Sequence, residues 1–238
     1  GNASVTDVYM SQDSGAYVHS QNVPNHVANT MSSPYYRFDG VDDVITVADS
    51  DNLSFGNGTS DNPFSISAWI YMVDATNFRI VTKGQYNTNT KEYGIRTDSY
   101  DKLLINLIDE SADAFETVSF NTALTSYENQ WIHVAVTYNG VGGASANAGL
   151  TLYLNGSSLT PTLSDSGTYV AMENLGGTLT IGEEVSSFAN GQISCVKIWN
   201  KELTATEIKD DYSGASVPFK YKGANQTDMV TNGGFADG

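Results

Sequence analysis

Basic residues are scarce in this sequence: 11 Lys and Arg stand against 27 Asp and Glu, a formal net charge of -16 at pH 7. No Lys/Arg run offers a local exception. A polyanion is therefore repelled, and neither nucleic acid nor bare anionic membrane is expected as a partner. Divalent cations, neutral glycans, or plain solubility in a salty medium that screens self-repulsion all remain compatible with such acidity. Cysteine is nearly missing. Cys195 stands alone, so no intrachain disulfide can form and the fold must rest on its core. Its apolar setting, ISCVKIW, predicts a buried, unreactive thiol. There is no run of roughly 18 apolar residues and no charged-then-apolar leader, so neither a membrane span nor a signal peptide is expected. His19, His26 and His133 have no HExxH or His/Cys company, and no GxSxG elbow occurs, which leaves metallohydrolase and serine-hydrolase chemistry without support.

What the chain does have is a set of short alternating segments. Its 238 residues suit one large β-sandwich with an arm. Residues 1–34 are rich in Ser, Asn and Asp without sustained period, and read as an extended N-terminal arm. From Tyr35 the period becomes two. Phe64, Ile66, Ala68 and Ile70 alternate with Ser65, Ser67, Trp69 and Tyr71, as one strand requires. Ile132, Val134, Val136 and Tyr138 alternate with Trp131, His133, Ala135 and Thr137, and Asn139-Gly140 follows as a turn that tolerates positive φ. LTLYLNG repeats the device with Asn155-Gly156, so two successive antiparallel strands are predicted, joined by NGVGGASANAG. One short helix is expected over about 205–212, because Thr204 and Glu207 have capping-box spacing.

The ordered series YYRFDGVDDVITV, FSISAWIYM, FRIVTKG, WIHVAVTYNG, LTLYLNG, LTIG and ANGQISCVKIWN resembles the laminin-G-like, concanavalin A-type sandwich lectins over about 36–212. That resemblance implies an all-β fold: an antiparallel two-sheet β-sandwich, a concanavalin A-like jelly roll, over 35–213. Residues 214–238 read as a linker followed by TDMVTNGGFADG, which resembles the opening strand of galactose-binding-like carbohydrate-binding modules. A laminin-G-like sandwich followed by VPF, a linker and VTNGGF is similar to segments of large virion appendage proteins of tailed bacteriophages. The resemblance implies glycan binding on a virion surface, with other virion proteins and further copies of the chain as partners; a structural role in decoration or assembly is the alternative.

Three sets of residues are candidates for a site. Asp39, Asp42 and Asp43 sit at a turn entering a strand, where carboxylates and carbonyls can supply the oxygen ligands of Ca²⁺, although Asx residues also form turns without a metal. Related sandwiches often add an acidic residue from the last strand; here Ser194 and Cys195 occupy the two acidic positions. Retaining glucanases of the superfamily carry ExDxxE on one strand. The nearest string, SADAFE, keeps Asp113 and Glu116 but has Ser111 where the nucleophile belongs, so a surface strand of solvated carboxylates is expected and no enzyme activity. Finally, Tyr86 with Asn87, Tyr100 with Asp101, Tyr127 and Tyr169 lie in polar loops, the pairing of ring and directional hydrogen bonds that glycan sites and protein interfaces both use. The loops flanking the concave sheet are favoured for either. Trp69, Trp131 and Trp199 fall where the family pattern places a packed aromatic, and are expected in the core.

Overall fold

The computed structural model describes residues 35–216; the N-terminal arm over 1–34 and the segment 217–238 lie outside the described residues. The strands are β1 (Tyr35–Asp39), β2 (Ile45–Val47), β3 (Phe64–Met72), β4 (Arg79–Lys83), β5 (Tyr93–Thr97), β6 (Leu103–Asp109), β7 (Ala114–Phe120) and β8 (Trp131–Tyr138). They continue with β9 (Leu150–Leu154), β10 (Ser157–Ser158), β11 (Pro161–Ser166), β12 (Leu179–Ile181), β13 (Glu183–Glu184), β14 (Ser187–Phe188) and β15 (Asn190–Trp199). One helix, α1 (Ala205–Ser216), follows. The first sheet has the order β1-β15-β3-β8-β9-β10, and the second β11-β7-β6-β5-β4-β12-β2, while β13 and β14 form a separate hairpin. All the pairings are antiparallel. The result is the expected jelly-roll sandwich.

Alternation decides which face is buried. Phe64, Ile66, Ala68, Ile70 and Met72 of β3 and Ile132, Val134, Val136 and Tyr138 of β8 turn inward and meet Tyr93, Ile95, Leu103, Ile105 and Leu107 of the second sheet. Phe55 stacks on Phe64 at 4.6 Å, with Tyr93 5.4 Å from Phe64. Burial of a ring or aliphatic side chain contributes about 1.5–3 kcal/mol each.

The connections between β2 and β3 and between β11 and β12 are tied to this core by one carboxylate. Asp61 Oδ2 accepts hydrogen bonds from the hydroxyls of Tyr138 and Tyr169, both at 2.7 Å, and Oδ1 accepts the Met172 amide at 2.8 Å. Burial pushes the Asp61 pKa up, and the three donors oppose that shift. Lys83 does the same service at the end of β4. Its fully buried ammonium donates to Asp49 Oδ1 (2.8 Å), Glu92 Oε1 (2.9 Å) and the Gly177 carbonyl (2.6 Å).

Thr204 and Glu207 form the predicted capping box: the Glu207 amide donates to Thr204 Oγ1 at 3.2 Å and the Thr204 amide to Glu207 Oε2 at 2.9 Å. The helix runs on to Ser216, past the expected end at Tyr212. It covers the outer face of the first sheet, burying Ala135, Tyr153, Leu203 and Ile208 with Trp199 packed beside them. Here the expectation for the tryptophans needs correction. None lies in the sandwich core: alternation turns Trp69 outward, where it sits 5.5 Å from the His133 ring and 5.6 Å from Tyr212 of α1. Trp131 packs at 5.5 Å on Tyr35 and 5.8 Å on Tyr71. Cys195 departs from expectation too. It is half-buried and takes φ of 51° at the β15 bulge, where pairing with β3 slips between Ser194 and Lys197.

Asp211 pins α1 down. Its carboxylate accepts from Ser67 Oγ (2.6 Å), Lys197 Nζ (2.5 Å) and His133 Nε2 (3.2 Å). Burial by itself raises the Asp211 pKa, but the His133, Lys197 and Ser67 contacts outweigh it and hold the carboxyl well below the usual range. The unfolded chain then binds more protons than the folded one in acid, so this contribution is complete above the ordinary carboxylate range and is lost as pH falls through and below it. Asp211→Ala is expected to cost about 1–3 kcal/mol at neutral pH and to shrink the acid-side loss of stability, as read from urea unfolding at several pH values; an unchanged acid limb would detach Asp211 from that transition.

Candidate functional site

The three-aspartate turn forms as expected. Gly40 takes φ of 80°, Asp39 Oδ1 accepts the Val41 amide at 2.8 Å, and Asp43 Oδ2 accepts the Asp39 amide at 3.0 Å. One carboxylate oxygen from each of Asp39, Asp42 and Asp43 lies within 4.8 Å of the others, two of the residues being exposed and Asp43 buried. An all-oxygen set fits a hard divalent cation. Two of these carboxylates already serve the backbone of the turn, and the last strand brings Ser194 and Cys195 instead of acids.

The loop tyrosines part company. Tyr86 lies in a short 3-10 turn, Tyr86–Thr88, between β4 and β5; it is 45% exposed and Asn87 beside it is exposed. Tyr100 is 75% exposed but belongs to the turn between β5 and β6, at the opposite end of the second sheet. Asp101 next to it is a fastener, with φ of 61°, its carboxylate accepting Thr76 Oγ1 at 2.9 Å and Thr125 Oγ1 at 2.6 Å, so that three loops are joined. Tyr127 packs, half-buried, on the core. Tyr169 is only 3% exposed. Its hydroxyl is committed to Asp61, so it is a core residue and presents no ring to a ligand. Its polar sequence neighbours concealed that long-range bond.

The glucanase-like string does not form a catalytic strand. Ser111 and Asp113 lie in the turn before β7, Asp113 with φ of 48°, and β7 begins only at Ala114. Glu116 is the correction. It pairs with core residue Leu107, points inward and is buried, so burial pushes its pKa up, against the expectation of a solvated carboxylate.

Two features of the second sheet's outer face emerge only from strand register. Cross-strand pairing aligns Thr46, Thr180, Thr82, Gly94, Asn106, Thr117 and Ser164 into one row across the whole sheet. Asn106 Nδ2 donates to Thr117 Oγ1 at 2.5 Å, while Thr82 Oγ1 is buried with no partner among the described residues. The row is exposed at Thr46 and Ser164 and buried between them. Beside it the next outward positions of β4 and β5 set Arg79 directly opposite Arg96. Lys91 crosses the same area. A Cβ on Gly94 would meet its Cε and Nζ at 3.4 Å, and its Nζ lies 4.2 Å from the centre of the Tyr86 ring. Burial first, then the Arg96 and Arg79 charges, hold the Lys91 ammonium down to about 7. One acid faces all three cations: Glu184 of the β13–β14 hairpin contacts Lys91, lies 3.0 Å from Arg79 Nη1 and 3.3 Å from Arg96 Nε. Gln85, preceding Tyr86, holds that hairpin by donating to Glu183 Oε2 and accepting the Val185 amide, both at 2.9 Å. A basic cluster invisible along the sequence is thus assembled by the fold.

With these features in place, the class is clear: a β-sandwich of the laminin-G type. The model described as the Concanavalin A-like lectin/glucanases superfamily matches residues 39–209, and the chain belongs to that family. Comparison with curated proteins finds no match. Among solved structures the chain is similar to a point mutant of HCR/D (18% identity, TM-score 0.56). It is likewise similar to the botulinum neurotoxin serotype D binding domain (19%, 0.54) and to the binding domain of botulinum neurotoxin DC in complex with SialylT (18%, 0.53). Each of the three alignments covers 79% of this chain and 44% of the other, so the chain spans less than half the length of those proteins.

Removing the Tyr169 hydroxyl tests the buried role assigned to it. Tyr169→Phe is expected to lower stability by about 1–3 kcal/mol, measured by urea unfolding with Tyr86→Phe as a surface control. A change under about 0.5 kcal/mol, ordinary for a surface substitution, would put the hydroxyl outside the Asp61 clamp.

Proposed function

We propose that this domain is a non-enzymatic, lectin-like module that binds glycan at the Tyr86–Asn87 turn, which borders the outer face of its second sheet. The observation that carries this reading is the exposed Tyr86 ring with the exposed Asn87 amide beside it, at the border of a register-aligned Thr, Asn and Ser row that opens to solvent only at Thr46 and Ser164. Hydroxyls and amides offer the directional donors and acceptors that sugar hydroxyls require, and a ring stacks against the apolar C–H face of a pyranose. SADAFE offers no paired carboxylates on one strand, which favours binding over glycan hydrolysis. The proposed setting is a virion appendage of a tailed bacteriophage, supported by the sandwich, VPF and VTNGGF strings. Display in many copies would let weak sites hold a host surface, since avidity exceeds single-site affinity by roughly 10²–10⁴.

A second reading, contact with neighbouring virion subunits, is favoured at the far end of the sheet. Tyr100 and Val73 are both exposed there, on loops that Asp101 fastens together. The expected division of labour is testable. Tyr86→Ala should weaken glycan binding about tenfold, near 1.4 kcal/mol, without shifting Tm, whereas Tyr100→Ala should leave binding intact and loosen assembly. Retained glycan binding by Tyr86→Ala, measured on an array and by calorimetry, would remove Tyr86 from the site.

Calcium at Asp39, Asp42 and Asp43 is proposed as a stabilising ion, supported by their all-oxygen geometry. An ion bound only by the folded turn adds about 2.7 kcal/mol at a hundredfold excess over Kd. Melting with added Ca²⁺ against chelator should separate the midpoints, and coincident curves would leave the aspartates as turn formers.

A further inference from the structure

We infer that the Arg79, Lys91 and Arg96 cluster makes this face selective for acidic saccharides, through a carboxylate on the sugar, a refinement that rests on the glycan-binding reading above. Arg79 and Arg96 stand directly opposite on adjacent strands, an arrangement that like charges destabilise unless an anion lies between them. Within the fold that anion is Glu184. It is stretched over three cations at once, and neither of its oxygens is aligned for a hydrogen bond with the two arginines. Arg79 Nη1 is ion-paired with Glu184 Oε2 at 3.0 Å, while Arg79 Nε is a buried donor with no acceptor among the described residues. Guanidinium groups bind carboxylates best by paired, parallel N–H donors, which Glu184 does not satisfy here.

The other acids nearby do not fill the gap. Glu183 is engaged by Gln85 and by the Ser186 amide. Glu110, on the β6–β7 turn, accepts the backbone amide of Lys91 and leaves the arginines to others, while Asp113 and Asp98 act only at a distance. Arg96 is the cation most open to solvent, at 21% of its side chain, and its charge acts on the hydroxyl of the exposed Tyr86. A pyranose stacked on Tyr86 would carry a ring carboxylate toward Arg96, the open member of the cluster, with the buried Arg79 and Lys91 adding positive charge behind it. Glu184 already shows that a carboxylate fits between these cations, and it acts as the internal competitor for the same donors. Its hairpin turns through Val185 and Ser186, both with positive φ (47° and 59°), an unfavourable conformation for a β-branched residue. Neutral glycan, the partner suggested by the overall charge, is thereby replaced by an acidic one at this patch.

The test uses the full chain and three probes in calorimetry: digalacturonate, short enough to limit the repulsion that the chain's net charge of -16 exerts on a polyanion, its fully methyl-esterified form, and a sulfated galactan disaccharide. The free acid is expected to bind about tenfold tighter than the ester, with a preference that weakens as salt rises. Arg96→Gln should erase that preference while weak binding of the ester survives. Glu184→Gln, by removing the competitor, should tighten the acid about threefold, a change of sign that misfolding cannot imitate. Equal binding of acid and ester overturns the acidic selectivity and leaves the glycan reading standing. Binding of no saccharide overturns both. Preference for the sulfated probe overturns the carboxylate assignment, and so does unaltered or weakened acid binding in a folded Glu184→Gln variant.

Discussion

A carboxylate taken out of water must be supplied with donors, and in this domain that requirement organises the chain between the strands. Asp61 gathers Tyr138 from the end of β8 together with Tyr169 and Met172 from the long β11–β12 connection. Losing any of these leaves a buried polar group unmatched, which costs more than the bond itself contributes. Lys83 repeats the arrangement with opposite charge, drawing in Asp49, Glu92 and Gly177. The residues immediately after Lys83 are Gly84, Gln85 and Tyr86. Because β4 ends on a charge that cannot move, the turn carrying Tyr86 starts from a fixed point, and Gln85 passes that order on to the β13–β14 hairpin and Glu184. The basic patch is thus held by a hydrogen-bond chain rooted in the core.

The two outer faces have different fates. On the first sheet, Trp69, His133 and Ser67 are covered by α1, with Asp211 accepting from Ser67 Oγ and His133 Nε2. That face is consumed by folding. On the second sheet the outward positions mix a buried row of hydroxyls and amides with Leu104, Ile108 and Phe115 and with the cations Arg79 and Arg96, and the Tyr86–Asn87 turn beside them stays exposed.

The principal strands could be read from the sequence because each long strand carries its own alternation, and β3 and β8 bury the very residues their period indicates. The capping box was equally local. Strands such as Ser157–Ser158 and Glu183–Glu184 have no apolar alternation and exist only through their partners. The same limit explains the basic cluster. Tyr86 was visible as a ring in a polar loop, but Arg79, Lys91 and Arg96 are separated along the chain and meet through β4–β5 register and the hairpin. A basic run would have been noticed; a basic patch built from three elements leaves no linear trace. Tyr169 failed for the converse reason, since its polar neighbours suggested a surface loop while its hydroxyl answers a carboxylate far away in sequence.

The pairing of β1 with β15 bears on where the two ends of the described unit lie. Tyr35 lies opposite Ser194 and Asp39 opposite Asn190, so the entry strand is zipped to the last long strand. The described chain leaves, however, through α1, whose Tyr212 comes against Gly156 of the β9–β10 turn, toward the other edge of the same sheet. The described unit therefore holds its own two ends apart across the strands instead of returning one to the other.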